Sequence, residues 1–183
     1  MKRLLGLVFV FAMFVGIGNL DAAEGEKTPG YIGSLTCAKV CHKKAKQGEQ
    51  RRIWEESAHA KAFETLASPA ALEIGKAKGI SNPQEADECL VCHVTAHGIS
   101  DDLKGKKFSH TEGVGCEVCH GPGSIYKKRS IMKVREESVA AGLILPDEQT
   151  CLKCHNEKSP TYKPFDYVEK WGAIAHPKPA KGE

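Results

Sequence analysis

All eight cysteines of this chain fall into four pairs, and in each pair the second cysteine is followed directly by histidine. Three pairs have the form Cys-x-x-Cys-His: Cys89, Cys92 and His93; Cys116, Cys119 and His120; Cys151, Cys154 and His155. The first, Cys37-Ala-Lys-Val-Cys41-His42, carries one residue more. On one helical turn the spacing i, i+3, i+4 brings two thiols and an imidazole to the same face. That face suits a flat macrocycle. The thiols can close thioethers to haem vinyl groups, and the histidine can reach the iron. Cys37 and Cys41 would still be neighbours at i, i+4, with the extra residue absorbed as a bulge. A disulfide or a free thiol pair is the plain alternative at that motif.

Histidine is only 8 of 183 residues, so four Cys-His adjacencies by chance have a probability on the order of 10⁻⁵ to 10⁻⁶ on the cysteine-spacing reading. A disulfide framework needs no histidines there. A structural zinc site usually places its second ligand pair at a separate spacing and does not repeat one pentapeptide. Haem c is therefore expected at all four motifs, with the eight cysteines as anchors and His42, His93, His120 and His155 as proximal iron ligands.

Four histidines then remain: His59, His97, His110 and His176. Beyond the leader the chain has a single methionine, Met132. Four irons could each take two imidazoles with none left over, whereas methionine could serve one at most. Two histidines per haem favour low reduction potentials and a closed, low-spin iron. His59 lies beside an apolar stripe of Trp54, Ala58 and Ala62 in a helical pattern over 47–66. A lone histidine there is ordinarily a hydrogen-bonded core residue, but irons that need second ligands favour ligation. If the helix carrying His93 continues, His97 shares its face, so His97 serves another haem or none.

Lys2 and Arg3, the apolar run from Leu4 to about Ile17, and Ala22-Ala23 read as a signal peptide over residues 1–23. The run is short for a membrane span, and an uncleaved anchor is the plain alternative. Residues 24–183 then form a single domain of 160 residues, with 177–183 as a mobile tail. Aromatic residues are few, so the polypeptide alone would make a poor core, and four haem discs would fill the interior. Past the leader there are 24 Lys plus Arg against 22 Asp plus Glu. Eight propionates turn that balance of +2 into about −2 with ferric and −6 with ferrous irons. The lysines are thus solvated faces or propionate partners rather than a nucleic-acid surface.

Ser68-Pro69 reads as an N-cap and first helical residue of a helix that Gly79 closes. Asn82-Pro83 starts the element carrying Cys89. A helix is expected over 124–141 and a last short one over 165–175, with Asp166 near its start and His176 at its end. Gly113 and Gly115 are expected to let backbone approach the ring edge, and Gly121-Pro122-Gly123 to end the turn. Motif spacing is irregular and no strand-rich region is evident, so the expected fold is mainly α: short helices and loops wrapped around four covalently bound haems.

The chain resembles the cytochrome c-554 family of multihaem c-type cytochromes. The likeness is carried by Tyr31-x-Gly33, Ser57-Ala-His-Ala-Lys-Ala62, Cys89-x-x-Cys-His-Val94, the Gly113 to Gly123 string and the fourth motif. The resemblance implies a mainly helical tetrahaem fold with haems in closely stacked pairs, moving single electrons between periplasmic partners. It implies that His59 pairs with His155 and that His176 pairs with His120. In the family's type member the first haem's second ligand follows the third motif by several residues. Here Ile125-Tyr126-Lys127 stands in that region, which leaves His97 and His110 as candidates for the first and second haems. The type member's second haem is open on one side.

The expected protein is an exported, periplasmic or extracellular, tetrahaem electron carrier between redox partner proteins. It has no stable membrane insertion once the leader is cleaved, and an oligomer or filament is compatible. The competing reading is an enzyme acting on nitric oxide or hydroxylamine at an open second haem.

Overall fold

The computed structural model describes residues 27–39 and 42–177. The expected signal peptide, Cys41 and all but Pro177 of the expected tail lie outside the described residues. Among those residues the chain forms ten short α-helices and no β-sheet. In order they are α1 Ser34–Cys37, α2 Gln50–Glu56, α3 Ala62–Thr65, α4 Pro69–Ala77, α5 Asp87–His93, α6 Cys116–His120, α7 Arg129–Met132, α8 Arg135–Ala140, α9 Glu148–Leu152 and α10 Tyr167–Ile174. One isolated parallel bridge joins Tyr31 to Lys104. Among the described residues no helix is long and apolar enough to cross a membrane.

Several boundaries follow from local chemistry. The Ser68 hydroxyl accepts the Ala71 amide at 3.2 Å, and Pro69 opens α4. Asp147 and Thr150 cap α9 reciprocally. The Asp166 carboxylate accepts the Glu169 amide at 2.9 Å and starts α10.

Three expected helices end early. The 47–66 pattern divides into α2 and α3, because Ser57 is extended, with φ −79° and ψ 160°, and its hydroxyl donates back to the Trp54 carbonyl at 2.7 Å. The Trp54 indole in turn donates to the Val114 carbonyl at 2.9 Å, so α2 is aimed by a partner 60 residues away. Trp54→Phe is expected to cost about 1 kcal/mol, read as a shift in denaturant midpoint. The 124–141 pattern divides into α7 and α8, with Val134 extended between them. Helix α5 stops at His93: Val94 is extended and Ala96 takes a positive φ of 54°, so His97 does not continue the face of His93.

The apolar centre is thin, as the composition implied. Ile32, Ala38, Leu66, Val94, Val114 and Tyr126 are its buried apolar side chains, and Ser34, Thr95 and Glu117 are buried among them. A hydrogen-bonded hub joins the segment before α1, the segment after α5, and α6.

Candidate haem centre

The hub is built on the third motif. Both carboxylate oxygens of Glu117 accept the Ile32 amide at 2.9 Å, one accepts Gly33 at 2.8 Å and the other accepts Gly123 at 2.7 Å. Glu112 accepts the Ser34 amide and hydroxyl at 2.9 Å, and the Ser34 oxygen accepts the Cys116 amide at 3.0 Å. Thr95 donates its hydroxyl to the Gly113 carbonyl at 2.9 Å and accepts the Gly115 amide at 2.8 Å. Three chain segments that carry the first three motifs are thereby locked in register. Tyr126 is buried nearby and donates to the Gly121 carbonyl at 2.7 Å.

Gly113 and Gly115 make room for protein rather than for a ring edge. Gly113 has φ 71°, and a Cβ there would lie 2.6 Å from the His59 carbonyl oxygen. A Cβ on Gly115 would come within 2.7 Å of Glu112 Oε1 and 2.9 Å of Thr95 Oγ1. The close approach at Gly113 also sets His59, whose carbonyl accepts the Val114 amide at 2.9 Å. Gly113→Ala is therefore expected to cost about 1–3 kcal/mol and to move His59. The measurement is the ferric spectrum beside a thermal melt: a stability loss accompanied by a partial high-spin component is the expected result.

Burial pushes the Glu117 carboxyl above its ordinary range, against the lowering effect of the amides from Gly123, Ile32 and Gly33. A raised folded value means that the contribution of this group to stability is full below the ordinary glutamate value and declines as pH rises through the folded value. The advantage of wild type over Glu117→Gln should accordingly be greatest under mildly acidic conditions and shrink toward neutrality. Denaturant midpoints of the two proteins at matched pH values measure it.

The fold brings the eight histidines together unequally. The rings of His59 and His155 have centroids 6.0 Å apart with planes at 71°, and those of His120 and His176 are 6.0 Å apart at 69°. Two metal–nitrogen bonds of about 2 Å and two ring radii of about 1.1 Å, from ring bonds near 1.33 Å, add to about 6.2 Å. Each pair thus stands at the separation of two imidazoles on opposite sides of one six-coordinate metal. Each joins one motif histidine to one outside the motifs. The donor set and its spacing fit a haem iron.

Hydrogen bonds also orient the rings. Nδ1 of His42 meets Gln50 Oε1 at 3.3 Å, Nδ1 of His93 meets the Ala62 carbonyl at 2.7 Å, Nδ1 of His120 meets the Ile144 carbonyl at 3.1 Å, and Nδ1 of His176 meets the Ile174 carbonyl at 2.8 Å. A proton held on Nδ1 leaves the lone pair on Nε2 for a metal. Burial holds His59, His120 and His155 below the usual imidazole range, in the neutral form that ligates, with His155 reinforcing the effect on His59. His97 and His110 are placed otherwise. His97 turns Nε2 to Asp87 Oδ1 at 3.2 Å, and the His110 ring stands edge-on to Phe108 with centroids 5.4 Å apart.

Among the described cysteines, the neighbouring Cys116 raises the Cys37 thiol, and burial together with the neighbouring Cys92 raises the Cys154 thiol. The first motif is thus juxtaposed with the third and the second with the fourth. Reading the sequence missed Glu117 as the residue that organises the hub. A glutamate between two motif cysteines carries no local signal of burial, because its partners lie up to 85 residues away.

Residues 36–121 match the family model described as cytochrome c554 and c-prime. Cytochrome c-554 of Nitrosomonas europaea is 30% identical over 167 residues, covering 82% of this chain and 66% of that protein. Multiheme cytochrome MtrA of Shewanella baltica is 27% identical over 115 residues, covering 55% of this chain and 34% of that protein. The chain therefore spans less than two thirds of the length of either relative. No solved structure matches it significantly.

Proposed function

Because this chain belongs to the cytochrome c-554 family of multihaem c-type cytochromes, we propose that it is an exported tetrahaem carrier. It passes single electrons between periplasmic or extracellular redox partners. The observation that carries this reading is the pair of imidazole couples, His59 with His155 and His120 with His176, each at 6.0 Å. A haem bound there supplies a one-electron ferric–ferrous couple. The residues do the rest. The eight motif cysteines would hold the haem ring edges, and His42, His93, His120 and His155 would each supply one ligand to an iron. His59 and His176 would supply the second ligand to two irons and so would exclude small ligands. Paired imidazoles also favour a low potential compared with a His/Met pair. The proximity of Cys37 to Cys116 and of Cys92 to Cys154 supports close haems in the pairs first with third and second with fourth, a spacing suited to electron passage.

His97 and His110 are the remaining histidines for the first and second haems, and in the closed-site reading they complete the ligand set. A second reading is favoured by one observation: His97 Nε2 faces Asp87, while His93 keeps its Nδ1 on Ala62. In that reading the second haem keeps an open side and can take a small nitrogen oxide. Carbon monoxide titration of the reduced holoprotein tests the two. The closed carrier binds none, and uptake of one haem equivalent, abolished by no change at His97 or His110, supports the open site. Haem content per chain by pyridine haemochrome tests the count of four.

A further inference from the structure

Gln50, the first residue of α2, sits between two of the histidines assigned to different haems. Its side-chain oxygen lies 3.3 Å from His42 Nδ1, and its side-chain nitrogen donates to the His176 carbonyl at 3.4 Å, across 126 residues of sequence, and to the Gln47 carbonyl. The neighbouring Arg51 amide donates to the His42 carbonyl at 2.9 Å. The start of α2 therefore grips the first-motif histidine by its ring and by its backbone, and holds the end of the chain segment that carries His176. The polarity is fixed by chemistry. A primary amide has one acceptor and one donor end, and with the nitrogen facing two carbonyls the oxygen must face the ring, so the proton of His42 resides on Nδ1.

We propose that Gln50 is a positioning residue that couples the axial ligands of the first and third haems. Its amide oxygen orients His42, and its amide nitrogen anchors the backbone of His176. The inference rests on the reading of His42, His120 and His176 as iron ligands. The strength of an acceptor on Nδ1 sets how much electron density an imidazole gives its metal. An anionic acceptor should stabilise the ferric state, and removal of the acceptor should do the reverse. No other side chain contacts the His42 ring by hydrogen bond among the described residues.

Two substitutions separate the two arms. Gln50→Glu keeps an acceptor for His42, now charged, and loses the donor to His176. Gln50→Leu loses both. Holoprotein of each variant is titrated spectroelectrochemically, with the ferric low-spin signals recorded alongside. In Gln50→Glu one couple is expected to move to lower potential by a tenfold change in its ferric-to-ferrous ratio, which is 59 mV for one electron. In Gln50→Leu the same couple should move the opposite way. Both variants should show a perturbed signal from the His120–His176 haem, because both lose the anchor on His176. A merely structural role would lower the melting temperature of both and move no couple in opposite directions. If all couples stay within a factor of two of wild type in both variants, with four haems bound, the proposal is overturned. A wild-type protein without paired-imidazole haems would instead overturn the underlying ligand reading, and it is recognised before any variant is made.

Discussion

Glu117→Ala is expected to lower the unfolding free energy of the holoprotein by about 3–5 kcal/mol. Glu117 is 2% exposed and is the acceptor for the amides of Ile32, Gly33 and Gly123. Each buried donor left without a partner costs on the order of 1–3 kcal/mol, and the side chain's removal leaves space beside Ile32 that must collapse or fill with water. Domains of this size are held by roughly 5–15 kcal/mol in all, so the loss is a large share. Glu117→Gln keeps one acceptor oxygen but turns an NH₂ group toward amide donors, and should cost about half as much. Denaturation followed by both haem absorbance and far-ultraviolet dichroism measures the effect. A cost below about 1 kcal/mol would mean that the carboxylate does not hold the segment before α1 to α6.

The second large effect concerns the iron sites. His59→Ala and His176→Ala each remove one ring of an imidazole pair, and each should convert one haem equivalent from low to high spin in the ferric protein. The reduced variants should each bind one more equivalent of carbon monoxide than wild type. The potential of the opened haem should rise, because an electron-donating ligand is lost. Added imidazole should restore the low-spin spectrum, which distinguishes an emptied ligand position from a disturbed fold. The two substitutions should be additive, since the pairs share no ring.

The four cysteine motifs stand out because two thiols and an imidazole recur at one local spacing, and local spacing is what a sequence displays directly. The same holds for the caps at Ser68 and Asp166, whose partners lie three residues on. The mainly α architecture followed from short helical patterns punctuated by glycine and proline. The pairings of His59 and His176 came from resemblance to a family, and the fold now sets both couples at 6.0 Å. What could not be read were the breaks at Ser57 and Val94. Trp54 is drawn to Val114, and Thr95 is drawn to Gly113 and Gly115, and these distant partners override the helical periodicity. Gly113 and Glu117 carried the family likeness as letters, and the fold supplies their physical roles. One gives His59 its place and the other ties Ile32 and Gly33 to the third motif.

The ring planes of the two couples meet at 71° and 69°, and axial imidazoles far from coplanar give ferric haem a highly anisotropic low-spin resonance. Electron paramagnetic resonance of the fully oxidised holoprotein therefore tests the ligand pairs most directly. Two signals of that kind are expected, one lost in His59→Ala and the other in His176→Ala. A full set of signals persisting in both variants would contradict the assignment of His59 and His176 to iron.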